Sequence, residues 1–404
     1  MKKKIILFGA ALAALATFTS CSSEDDLTVV EPQQPVIEKK LVPFSVGAEV
    51  NETRGTNVTS LTSFTMYSTM IEAMATGALF QYEDDVWGVS NQSLSWPEYD
   101  TNEEAPVYRF MALNDAAHFA NYANSHTLFP KPWADMADKT TINATPSFTY
   151  AIPTTYADQV DLLVADTTGS ATLGAPAGSV KLKFHHALSQ IKAIKVYCNI
   201  DKVTNSGDKV NYRFRINGIR LGGLHNIGTY TFGAATPWSN QSGEEVFEVP
   251  LTAASLTFGN AGFQPGAKSN AITLPLTDDG LYLIPQTAAG AIASVGSSYE
   301  VNNAYAELDA QVFFYSDYVN TPEFGGAYRV GEGLYNGFDW DQTSSDAVGF
   351  GKIRVPLKFT IQPGKGYTLL LDISKGVIYE NEGATTETSA LGESIFEGAT
   401  ITVG

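Results

Sequence analysis

The sequence predicts an all-β protein, two β-sandwiches in tandem, and three observations carry that prediction. Short runs in which apolar and other residues alternate are separated by Gly, Pro, Asn and Asp, the period-2 pattern of half-buried strands joined by turns. Charged residues make up only 17% of the chain, while Gly, Tyr and Phe number 35, 19 and 22, a mixture that favours strands over long helices. The length of 404 residues suits about two domains.

The N-terminal segment stands apart from the fold. Lys2, Lys3 and Lys4 precede an apolar run from Ile5 to Leu15, too short to span a bilayer, and the small residues Thr19 and Ser20 precede Cys21. Residues 1–20 read as a secretory signal. Phe18-Thr19-Ser20-Cys21 resembles a bacterial lipobox, with Phe18 where an aliphatic residue is usual. Cleavage between Ser20 and Cys21 would leave Cys21 as a lipidated N-terminus, its several acyl chains giving a firm outer-membrane anchor. Residues 21–40 form a tether, acidic at Ser22-Ser23-Glu24-Asp25-Asp26 and proline-rich at Glu31-Pro32-Gln33-Gln34-Pro35.

The first sandwich is expected over residues 41–200. LVPFSVGAEV opens it, with Val42, Phe44, Val46, Ala48 and Val50 alternating. A polar stretch containing Arg54 and Gly55 follows, then LTSFTMYS, VYRFMAL, SFTYAIP and QVDLLVA, with one short helix within NDAAHFANYANSH. SVKLKFHHALSQIKAIKVYCNI supplies two strands and a bend. Asp201, Asn205, Ser206, Gly207 and Asp208 mark a boundary. The second sandwich, over 210–404, takes its strands from NYRFRINGIRLGGL, GTYTFG, EEVFEVPL, GLYLIPQ, AELDAQVFFYSDY and the terminal ATITV. KIRVPLKFTIQPGKGYTLLLDI reads as a hairpin turning at Pro363-Gly364-Lys365-Gly366.

Charge and motif content narrow the function. A net charge of −18 argues against nucleic acid and against adhesion to anionic lipid, both of which need clustered Lys and Arg. With Cys21 committed to lipid, Cys198 has no partner for an intramolecular disulfide and reads as a small buried hydrophobe. His185 and His186 are adjacent on a strand, so they face opposite ways and do not make a zinc site. Asp339-Trp340-Asp341 lacks the glycine and terminal Glu of a calcium loop. Gly331-Glu332-Gly333-Leu334-Tyr335-Asn336-Gly337 has the wrong spacing for a dinucleotide loop. The phosphate-loop, zinc-helix and nucleophile-elbow motifs are absent from the sequence, and no catalytic residue, cofactor or metal is expected. Trp87, Trp96, Trp133, Trp238 and Trp340 would suit sugar stacking if coplanar and exposed, but in a sandwich most Trp residues pack.

Taken in order along the chain, these segments resemble the fimbrillin family, subunits of type V pili. The lipoprotein signal and tether, the first strand before Thr53-Arg54, Ser95-Trp96-Pro97 and VYRFMAL carry the resemblance. So do VKLKFHHALSQIKAIKV, FRINGIRLGG with GTYTF, LYLIPQ and the PGKGY turn. The resemblance implies two transthyretin-like sandwiches without catalysis, partnered by other pilin subunits and by a host or bacterial surface receptor. It also implies a mechanism: an Arg- or Lys-directed protease removes the first strand, and a C-terminal strand of another subunit fills the groove. Arg54 and Gly55 then flank the candidate maturation site, with Lys39 and Lys40 the competing sites and an uncut, solvated Arg54 loop the alternative, and the lipidated protein stands on the cell surface in a fimbrium. Stalk subunits carry an extra C-terminal donor segment, whereas this sequence closes on Ile401-Thr402-Val403-Gly404: ATITV is either the donor or the last strand of its own sandwich, and in the second case the protein is a tip or accessory subunit. The rival reading is a surface glycan-binding lipoprotein of a polysaccharide-uptake system.

Overall fold

Alternation becomes strand through most of the described residues. The computed structural model describes residues 42–50, 61–89, 94–99, 103–114, 128–129, 133–140, 145–172, 178–197, 210–252, 271–277, 280–295, 298–316, 351–373, 377–379, 389–390 and 399–403. They belong to one compact unit, Lys39–Gly404. Of the segment expected to be helical, residues 114–126, all but Asn114 lie outside them, as do Cys198 and the boundary residues 201–209.

The first eight strands and one helical turn run in order as β1 (Ser45–Val50), β2 (Ser63–Ser68), α1 (Glu72–Ala75), β3 (Ala78–Glu83), β4 (Val86–Gly88), β5 (Tyr108–Leu113), β6 (Ser147–Ala151), β7 (Leu163–Gly169) and β8 (Ser179–His186). All but β6 form one seven-stranded sheet, ordered β1-β8-β7-β5-β2-β3-β4. Asp84 and Asp85, both at positive φ, make the two-residue turn between β3 and β4, the conformation that hairpin twist requires. One face of this sheet supplies Phe64, Met66, Phe80, Phe110, Ala112, Val180, Leu182 and Phe184 to a core that also buries Trp96. The opposite face of β2, β5 and β7 contributes Tyr67, Met111, Leu113 and Val164 to a second core. These strands are therefore buried on both faces, which is why Phe-Met-Ala-Leu in β5 shows no polar alternation.

The second core lies between two further sheets. Its strands are β9 (Ser189–Tyr197), β10 (Val210–Thr231), β11 (Trp238–Glu248), β12 (Ile272–Pro275), β13 (Leu281–Leu283), β14 (Thr287–Ala289), β15 (Ala291–Val295), β16 (Ser298–Asn302), β17 (Tyr305–Ser316), β18 (Gly351–Pro356), β19 (Lys358–Thr360), β20 (Gly366–Asp372), β21 (Val377–Tyr379), β22 (Ser389–Ala390) and β23 (Ala399–Val403). One sheet runs β11-β10-β17-β18-β21-β22, with β6 added against β10; the other runs β12-β9-β20-β23, with β13 against β9. Ile216, Ile219, Leu221, Ala306, Leu308, Ile353 and Val355 of the first meet Ile191, Ile194, Val196, Leu369 and Leu371 of the second. That is a sandwich, and the all-β expectation holds.

Three details differ from the sequence reading. Residues 353–373 are not a hairpin: β18 pairs with β17 and β21, β19 with β14, and β20 with β9 and β23. Both arms alternate because they face each other across the core, and alternation cannot distinguish that arch from a hairpin. The two runs within 211–231 are one 22-residue strand, whose ladder to β11 shifts register beside Gly223, at φ +64. Finally, β6 and β9 precede the expected boundary at 201–209, yet hydrogen-bond to strands of the second half. The chain passes between the two cores at the bend of Ala187 and Leu188, both fully buried in the second.

Candidate functional site

The most distinctive local arrangement surrounds β1. It runs parallel to β8, Ser45 opposite Ser179 through Val50 opposite Phe184. The next two residues of β8, His185 and His186, pair instead with β7. Among the described residues, β1 is the ladder partner of β8 over Ser179–Phe184. Parallel pairing is the slightly weaker geometry.

The entry to β1 is held on two sides. The Phe44 N–H donates to Leu94 O at 3.0 Å and the Trp96 N–H to Val42 O at 2.9 Å, around a bridge between Pro43 and Ser95. The Gly178 carbonyl accepts the Trp96 indole N–H at 2.8 Å and the Ser45 N–H at 3.4 Å. Gly178 sits at φ +82, and a Cβ there would lie 2.8 Å from both Trp96 Nε1 and a Val42 methyl; only glycine fits.

The side chains of β1 are less deeply seated than those receiving them. Val42 is buried, but Phe44, Val46, Ala48 and Val50 are only half-buried, while Val180, Leu182 and Phe184 of β8 are almost fully buried. Phe44, just before β1, is the one ring of the stretch 42–50. It meets Trp96 edge-on at 5.3 Å, Phe110 at 5.6 Å and Phe80 at 6.3 Å between centroids. On the outer face, Glu49 lies 3.3 Å from Lys183, both exposed. The whole arrangement can do one thing chemically: it holds an extended apolar strand by ladder bonds and alternate side chains.

The other residues that the sequence singled out have structural surroundings. His185 Nε2 lies 2.9 Å from the Tyr230 hydroxyl, and burial lowers the imidazole pKa. His186, on the other face, places Nδ1 2.6 Å from Asp161. Trp96 and Trp238 are buried, and Trp87 packs on Phe64 at 4.7 Å between centroids. Residues Ser20, Cys21, Arg54, Gly55, Asp339, Trp340, Asp341 and the 331–337 loop lie outside the described residues. Sequence reading found β1, but not its parallel direction or the ring socket. The signal for the socket was faint: one aromatic among the alternating positions of 42–50.

The fold is that of a β-sandwich protein. The chain belongs to the fimbrillin-like family: the model of that family matches residues 130–389, more than half its length. No curated protein matches it. Among solved structures it is similar to a fimbrial protein from Bacteroides vulgatus at 14% identity and a TM-score of 0.44, covering 90% of this chain and 99% of that one. It is also similar to a fimbrial assembly protein from Parabacteroides distasonis at 9% identity and a TM-score of 0.33, covering 87% and 100%. Family membership rests on residues 130–389 rather than on these likenesses. It makes the chain a fimbrillin-like protein.

Proposed function

We propose that the protein is a non-enzymatic subunit or adhesin of a pilus, anchored to the outer membrane through lipid on Cys21. It joins other subunits by exchanging its first strand. The observation that carries this reading is the seat: β8 depends on β1 for its ladder over Ser179–Phe184, yet β1 is parallel and only half-buried. A strand so placed is needed by the fold and weakly kept by it. Proteolysis after Arg54, in the segment just past β1, would release residues 21–54 with the lipid and open the groove to a strand from a second subunit. The test is electron microscopy of cells with and without the gene, using antibody to the chain. Labelled fimbriae that disappear on deletion are expected. Label confined to the membrane, with fimbriae unchanged, would contradict it.

A further inference from the structure

The seat of β1 is not uniform, and its differences specify what can occupy it. The inward positions after Phe44 are filled by Val46, Ala48 and Val50, modest side chains that many strands could supply. Phe44 alone enters a socket of three rings, Phe80, Trp96 and Phe110, each no more than 2% exposed with Phe44 in place. Two walls of the socket stand without the first strand, and the third, Trp96, loses its backbone bond to Val42 but keeps its indole bond. Phe80 and Phe110 belong to β3 and β5 of the same sheet, and the Trp96 indole is fixed by Gly178 O. Trp96 also meets Phe110 edge-on at 5.7 Å, a preferred arrangement of ring quadrupoles. Without Phe44 these rings would lie open to water, and a small side chain would leave a cavity among them.

We infer that the partner of this seat is an extended strand of a second chain carrying an aromatic residue at the position of Phe44. That ring sets the register, with small or β-branched residues two, four and six positions further on. This inference rests on the strand-exchange reading above. Because the side chains of a strand repeat every two residues, a ring displaced by two would face the same side but sit at the place of Val46, two positions from the three-ring socket.

The experiment uses the full mature chain, treated with a trypsin-like protease under native conditions. The protease is then quenched, and a fluorescent peptide of residues 42–50 is added in excess. Retention on the protein is read by size exclusion and native mass spectrometry. The expected result is capture of the native-sequence peptide, capture at least about tenfold weaker for the Phe44→Ala peptide, near-native capture for Val46→Ala, and no rescue when Val46→Phe is added to Phe44→Ala. Equal capture of the native and Phe44→Ala peptides would overturn the socket while leaving strand exchange standing. Rescue by the displaced ring would overturn its register-setting role. Capture of no peptide at all would overturn both readings.

Discussion

At the scale of single residues, Gly178 is the tightest constraint on the seat. Its positive φ and its contact with Trp96 and Val42 leave no room for a Cβ, so Gly178→Ala should destabilise the protein by about 2 kcal/mol or more. Thermal unfolding would show the loss, and hydrogen exchange should quicken over 45–50 and 179–184. Phe44→Ala should cost less than a fully buried phenylalanine, about 1–2 kcal/mol rather than 3–5, because Phe44 is only half-buried. Two tyrosines give the molecule a pH limit. Burial raises the pKa values of Tyr67 and Tyr230 in the folded protein, so their contribution to stability is fully present below the ordinary value near 10. It is lost as pH climbs above that value, because the unfolded chain gives up those protons first. Denaturant midpoints measured between about pH 8 and 11.5 should therefore fall steeply only at the alkaline end, and Tyr67→Phe should flatten the fall. Tyr230→Phe should do so too, while losing the hydroxyl that meets His185.

At the scale of elements, cross-strand rows explain what ties the second core together and why some of the sequence was legible. Arg220, Glu307 and Arg354 stand in register across β10, β17 and β18. Glu307, nearly buried, meets Arg220 at 2.9 Å and Arg354 at 2.7 Å, and Arg354 also lies 4.4 Å over the Tyr305 ring. Glu307→Ala should cost about 2–3 kcal/mol, since it leaves two guanidinium groups facing each other without their carboxylate. Calorimetry checks this, and a double change with Arg354→Met should recover part of the loss. Strand existence was readable wherever one face is buried and the other wet, as in β8, where Lys181 and Lys183 alternate with Val180, Leu182 and Phe184. Strand pairing was not. Residues 353–373 alternate on both arms, yet the arms hydrogen-bond to different sheets, and inward periodicity is the same for an arch and a hairpin. The direction of β1 was equally hidden, because alternation is unchanged when a strand is reversed. The first core's socket draws Phe80, Trp96 and Phe110 from separate strands and loops, a convergence that only tertiary structure creates.

At the scale of the whole molecule, the two cores share the strands β2, β5 and β7, buried on both faces, while β1 touches only the first. Loss of β1 should therefore loosen the first core and leave the second standing. A chain lacking β1 should keep exchange protection in β9, β10 and β20 and lose it in β8. The proposed lipid anchor belongs to this scale too. Mass analysis of the mature N-terminus should find acylated Cys21, and Cys21→Ala should move the protein out of the membrane fraction. The central claim is that removing the first strand turns a monomer into an assembling subunit. The most direct measurement treats the purified precursor with a trypsin-like protease and follows it by size exclusion and N-terminal sequencing. Wild-type protein should give oligomer ladders with a new Gly55 N-terminus, and Arg54→Ala should stay monomeric. Wild-type and Arg54→Ala proteins that behave alike, both monomeric or both assembled, would contradict the account.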